Sequence, residues 1–142
     1  MAQGAAVSGA EEALESAILA ALAEDAGVSA ALGEPLRLLE LGSPLPGYPY
    51  LEIARRQCEP NNSAGCEGFV VTIDLVVTSR DEGGRIARDA LAEVRRALRD
   101  ANLEMEQWRC VLHLPVFADA MRQRIGLWRA LLRIRCVVER QS

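Results

Sequence analysis

The sequence predicts an α+β domain, a mixed, mostly antiparallel β-sheet with two helices packed on one face. Three observations predict it. The last apolar run, residues 126–139, alternates with a period of two. Trp128, Ala130, Leu132, Ile134, Cys136 and Val138 fall on one side of it, and Arg129, Leu131, Arg133, Arg135 and Val137 on the other. A second run, residues 69–78, alternates more cleanly still, while residues 10–26 and 85–101 repeat their apolar positions at helical spacing. A strand whose apolar side is wholly committed needs backbone partners on both edges, so the last strand is expected well inside the sheet.

In order along the chain, residues 1–9 read as a flexible N-terminus and residues 10–142 as a single domain. Ser8 with Glu11 three residues on forms a capping box that opens a helix over residues 10–26. Leu14, Ile18 and Leu22, with Ala17 and Ala21 beside them, make a narrow stripe able to lie on a sheet. Gly27 ends this helix, and residues 28–32 make one further turn before Gly33. Residues 35–41 are expected as an edge strand, and the proline-rich 42–49 as a turn region. Leu51 and Ile53 alternate with Tyr50, Glu52 and Ala54 in a strand ending near Arg56. The turn residues Glu59 to Gly65 then reverse the chain into an antiparallel hairpin.

In the returning strand Phe69, Val71, Ile73, Leu75 and Val77 oppose Val70, Thr72, Asp74, Val76 and Thr78. Both sides are largely apolar, which predicts a central strand whose second face is also covered. Ser79 or Asp81 is expected to cap a helix whose stripe is Ile86, Ala90, Leu91, Val94, Ala97, Leu98 and Ala101. Trp108, Cys110, Leu112 and Leu114 alternate with Arg109, Val111 and His113 in a further strand, and residues 115–125 are expected as its connection to the last one.

A chain of 142 residues can bury about two-thirds of the surface it exposes when unfolded, without metal or disulfides. With 50% apolar and 25% charged residues it is not disordered throughout. No apolar run reaches the roughly 20 residues of a membrane span, and no signal-peptide pattern opens the sequence. A cytoplasm-like compartment is expected. The net charge of −4 disfavours a simple nucleic-acid binder. All 16 basic residues are arginine, a composition bias whose chemical consequence is bidentate pairing with carboxylates.

The four cysteines, Cys58, Cys66, Cys110 and Cys136, have no zinc-ligand spacing, and His113 is the only histidine. No metal and no cofactor are expected. Cys110 and Cys136 are in phase with apolar strand faces, and Cys58 and Cys66 bracket the turn-rich loop, where they could meet across a hairpin; free thiols are expected in a reducing compartment. An enzyme would need a nucleophile, a base and an orienting group, and no such set is visible. Asp81 and Glu82 would repel a phosphate from the Gly83–Gly84 turn. Glu104 and Glu106 fall in an exposed turn. The aromatics Phe69, Trp108 and Trp128 are in phase with the core side, which leaves the arginine side without stacking residues for RNA.

Assembly remains. Arginines alternating with Leu131 and Val137 suit an interface with carboxylates opposite. Val70, Asp74, Val76, Arg129, Leu131, Arg133 and Arg135 are therefore candidate subunit or tube contacts, and Cys58, Glu59, Asn61, Asn62 and Cys66 a candidate contact loop.

The chain also resembles a family, the small tail-terminator or tail completion proteins of long-tailed phages and phage-derived gene transfer agents. The resemblance runs from about residue 14 to the end. It is carried by AEDAGVSAALG, PYLEI, TIDLVVTSR before GGRIARDALAEVRRAL, WRCVLHLPVF and GLWRALLRIRCVVE, in that order. The 57–66 loop is longer than the family's pattern. The resemblance implies a non-enzymatic ring of six copies on the head-proximal end of the tail tube, assembled in the host cytoplasm. Such a ring stops tube polymerisation and contacts the tube protein and the head-completion protein. DNA passes its channel without sequence-specific binding. Alternatives are a head-completion or neck connector ring, told apart by its neighbours in a particle, and a monomeric RNA-binding module, told apart by salt-sensitive binding.

Overall fold

The computed structural model describes residues 2–61 and 67–141. Its elements are helix α1 (Ala2–Glu24), helix α2 (Ala26–Leu32), strands β1 (Tyr50–Pro60) and β2 (Gly68–Ser79), helix α3 (Arg85–Arg99), and strands β3 (Trp108–Arg124) and β4 (Leu127–Arg140). The strands form one antiparallel sheet in the order β1-β2-β4-β3, so β2 and β4 are central, as their two-sided patterns predict.

The helices cover one face. Ala10, Leu14, Ile18 and Leu22 of α1 are fully buried, as are Val28 and Leu32 of α2. Ala87, Ala90, Leu91, Val94, Ala97 and Leu98 of α3 face the same core. Against them stand Phe69, Val71, Ile73, Leu75 and Val77 of β2 and Ala130, Leu132, Ile134, Cys136 and Val138 of β4. Trp108 closes one end, its ring tilted against Phe69 at 5.6 Å.

Several boundaries differ from the sequence expectation. Helix α1 begins at Ala2, so Ser8 lies inside it and does not cap it; alanine-rich sequence extends a helix readily. The break before α2 is made by Asp25, whose carboxylate accepts from the Val28 amide at 3.0 Å. Residues 35–41 supply a single parallel bridge, Leu38 to Leu51, where an edge strand was expected. Pro35 lacks a donor, and the chain turns away at Gly42 with φ 84°. Strand β1 continues past Arg56 because every residue from Arg55 to Pro60 finds a partner in β2.

The largest difference is at β3. Residues 115–124, expected as a connection, continue the strand, and the hairpin to β4 turns through Ile125 and Gly126. Pro115 suggested a strand end, but β3 is the edge strand and its register shifts between Pro115 and Phe117. An edge with a bulge is where proline costs no ladder bond. On α3, Ile86 belongs to the exposed side and Ala87 takes the core position. No described helix is long and apolar enough to cross a membrane.

Candidate functional site on the open sheet face

With all helices on one face, the other face of the sheet is open, and the strand registers order its side chains into rows. Leu112, Val137, Val70 and Glu59 lie across from one another, followed by Leu114, Arg135, Thr72 and Gln57. Next come Phe117, Arg133, Asp74 and Arg55, then Asp119, Leu131, Val76 and Glu52, and last Met121, Arg129 and Thr78. The face grades from apolar at β3 to charged at β1.

The middle row is held tightly. The Arg133 guanidinium donates from Nε and Nη2 to the two Asp74 carboxylate oxygens at 2.7 and 3.0 Å. Its other side lies 5.5 Å from the centre of the Phe117 ring. The hydrogen bonds it donates to Asp74, and the charge of that carboxylate, raise the Arg133 pKa. Asp74 is only 4% exposed and Val76 1%, both covered by side chains of the same chain. Arg129 donates to Glu52 at 3.1 Å. The carboxylates opposite Arg129 and Arg133 are therefore internal. Arg135 is exposed, and among the described residues it forms no ion pair. Val70, Leu131 and Arg135 keep surface to offer; Asp74 and Val76 support them from beneath.

The apolar border is hidden in the sequence, because residues 115–125 read as a loop. Leu112, Leu114, Phe117 and Met121 are each about half exposed on the open side of β3. Val111 and Val116, at the register shifts, are half exposed too, and Ile125 in the turn is almost fully so. The signal is the alternation of Phe117, Asp119 and Met121 with Ala118 and Ala120, weakened by the register shifts at Pro115/Phe117 and Arg122/Arg124 on either side of it.

The proposed contact loop is only partly described. Asn62 and Cys66 lie outside the described residues. Glu59 and Asn61 are exposed, and the Asn61 amide donates to the Gly68 carbonyl at 2.8 Å, closing the described part of the hairpin. Cys58 is not part of the loop. It sits in β1 opposite Val71, packed against the core, and burial with Glu11 and Glu59 nearby pushes its thiol up to about 11. Cys110 and Cys136 are free thiols on the helix side of β3 and β4; their mutual hydrogen bond and burial push the Cys136 thiol up.

His113 also faces the helix side, in register with Cys136. Among the described residues no three His, Cys, Asp or Glu side chains are grouped to hold a metal. At the Gly83–Gly84 turn the anion position of α3 is already taken. The Asp81 carboxylate accepts from Ser79 Oγ at 2.6 Å and from the Ile86 amide at 3.3 Å. Burial pushes its pKa up, but the Ser79 hydroxyl and the helix amides outweigh that and hold it below the usual range.

Comparison with known proteins covers nearly the whole chain. The family model described as tail completion protein gp17 matches residues 16–139. No curated protein sequence matches the chain. A solved chain from the virion of a native gene transfer agent (GTA) particle is similar in structure. Its TM-score is 0.81 at 26% sequence identity, over 94% of this chain and 98% of that one.

Proposed function

The chain belongs to the tail completion protein gp17 family, and from that premise we propose that it terminates the tail of a phage or gene transfer agent. Six copies close into a ring on the head-proximal end of the tail tube. The ring stops the tube from growing and joins it to the head-completion protein; DNA crosses its channel without sequence-specific contacts. The role is structural, without catalysis, and assembly takes place in the bacterial host cytoplasm.

One observation of the structure carries the reading. The 17-residue edge strand β3 exposes Leu112, Leu114, Phe117 and Met121 beside Leu131 and Val137, a contiguous apolar border along an unpaired strand edge. A partner that covers it gains hydrophobic area and protects an open strand edge. The half-buried Val70 and Leu131 and the exposed Arg135 extend the same contact, and Glu59 to Cys66 supply a second one toward the tube or a neighbour.

The test is mass measurement of the purified protein, alone and with tail tubes. A closed oligomer, free or seated on tube ends, is the expected result, with tubes that no longer elongate. A protein that stays monomeric in both conditions overturns the proposal.

A further inference from the structure

A hollow runs along the opposite side of β3 from the apolar border, between that strand and α3. It consists of two adjoining spaces of about 500 and 400 Å³ that share Arg95 and Leu132. The floor is Ala130, Leu132 and Ile134 of β4, and β3 contributes Pro115 and Ala118. The α3 wall carries Arg88, Arg95 and Arg99, all exposed. This is an apolar groove at the β3 edge of the sheet, whose rim carries those three arginines against the single carboxylate of Asp119 from β3.

At the other edge, a loop has the reverse character. Residues 39–47 leave the sheet after the Leu38–Leu51 bridge to β1. They expose Leu41 completely and Leu45 by 60%, with the exposed carboxylate of Glu40 beside them. Among the described residues neither Glu40 nor Arg95 forms an ion pair. An apolar knob with an acid and an apolar groove with arginines thus stand on opposite edges of one four-stranded sheet.

We infer that the Leu41–Leu45 loop of one copy seats in the α3–β3 groove of the next, with Glu40 against Arg95. This inference rests on the ring reading and specifies how neighbouring copies recognise each other. The loop lies beside β1 and the groove between β3 and α3 at the opposite edge, so a chain placing both features against copies of itself must do so head to tail. Charge complementarity fixes the register, and the two leucines supply the buried area.

The test uses the full chain under conditions where the wild type assembles, alone or on tail tubes, with melting temperature as the folding control. L41D/L45D, E40R and R95E change exposed side chains only. Each is expected to raise the concentration for half-assembly at least tenfold with the melting temperature unchanged. The swap E40R/R95E is expected to recover most of the loss. Single variants that assemble like wild type, or a swap that recovers nothing, overturn the interlock while leaving the ring in place. Loss of tube capture by R95E with self-assembly intact assigns the groove to the tube protein and also overturns it. A wild type that never assembles, with or without tubes, brings down the ring and the interlock together.

Discussion

At the scale of single residues, the second of the two glycines before α3 acquires a structural reason. Gly84 adopts φ 73°, and a Cβ there would meet the Trp128 ring at 2.4 Å. Trp128 lies over that glycine, donating from its indole nitrogen to the Glu82 carbonyl at 3.0 Å, with the Arg88 guanidinium 5.7 Å from the ring. The start of α3 is thereby fastened to the start of β4, which links two of the sequence blocks that carry the family resemblance. Gly84→Ala is expected to cost about 1–3 kcal/mol from backbone strain alone, with overpacking added. In a urea-denaturation cycle, Trp128→Ala should remove the overpacking part, making the pair less costly than the sum of the singles. Acid sensitivity also localises to two residues. Hydrogen bonds from Arg96 and the Val28 amide hold Asp25 below its ordinary pKa, and the α3 terminus does so for Asp81. A depressed folded-state pKa gives stability that is present above the unfolded value of about 3.9 and is lost as pH falls through the folded one. D25N and D81N should therefore lower the melting temperature near neutrality and flatten its fall below about pH 4. An unchanged acid limb in both variants would count against these assignments.

At the scale of elements, the central strands were legible, and of the edge strand β3 only the part from Trp108 to Leu114 was. Phe69 to Val77 and Ala130 to Val138 alternate without interruption because both strands are paired on both sides and packed under helices. In β3 the period is broken by register shifts after Cys110, Pro115 and Arg122, so the pattern of a strand dissolves into that of a loop. The same cause hid the apolar border, the largest part of the candidate site. The arginine row was visible in sequence, but its partners were not. Asp74 lies on a strand some sixty positions earlier, and the pairing follows only from antiparallel β2–β4 register. That pairing changes the choice of probe. Arg133→Ala strands a buried carboxylate and should destabilise by about 3 kcal/mol, whereas Asp74→Leu with Arg133→Leu should recover much of it. Arg135→Glu alters an exposed side chain and should shift stability by no more than about 0.5 kcal/mol. Of the arginine row on β4, only Arg135 can therefore report on assembly without also reporting on folding. Calorimetry of the three variants separates the cases, and a large loss in Arg135→Glu would refute the division.

At the scale of the whole molecule, the sheet has two unlike sides and two unlike edges. Helices seal one side, β3 borders the other with apolar residues, and the acidic loop beside β1 contrasts with the arginine-lined groove beside β3. Unlike edges cannot be satisfied by a two-fold contact of one patch with itself, whereas head-to-tail contacts use one of each per copy and close when the rotation divides the circle. Such closure has a quantitative signature. L114D/F117D alters two half-exposed side chains, so the isolated fold should keep its melting temperature to within a few degrees while that surface loses its partner. Mixed with wild type, one defective copy leaves one broken contact in any ring that includes it. With random incorporation in a ring of six, an equal mixture leaves only about 2% of rings free of defects, so closed rings should fall far more steeply than the wild-type fraction. Native mass measurement across a series of mixing ratios reads this directly. A decline merely proportional to the wild-type fraction would mean that copies associate in self-contained pairs or sort by type, and would exclude a continuous head-to-tail ring through the β3 border.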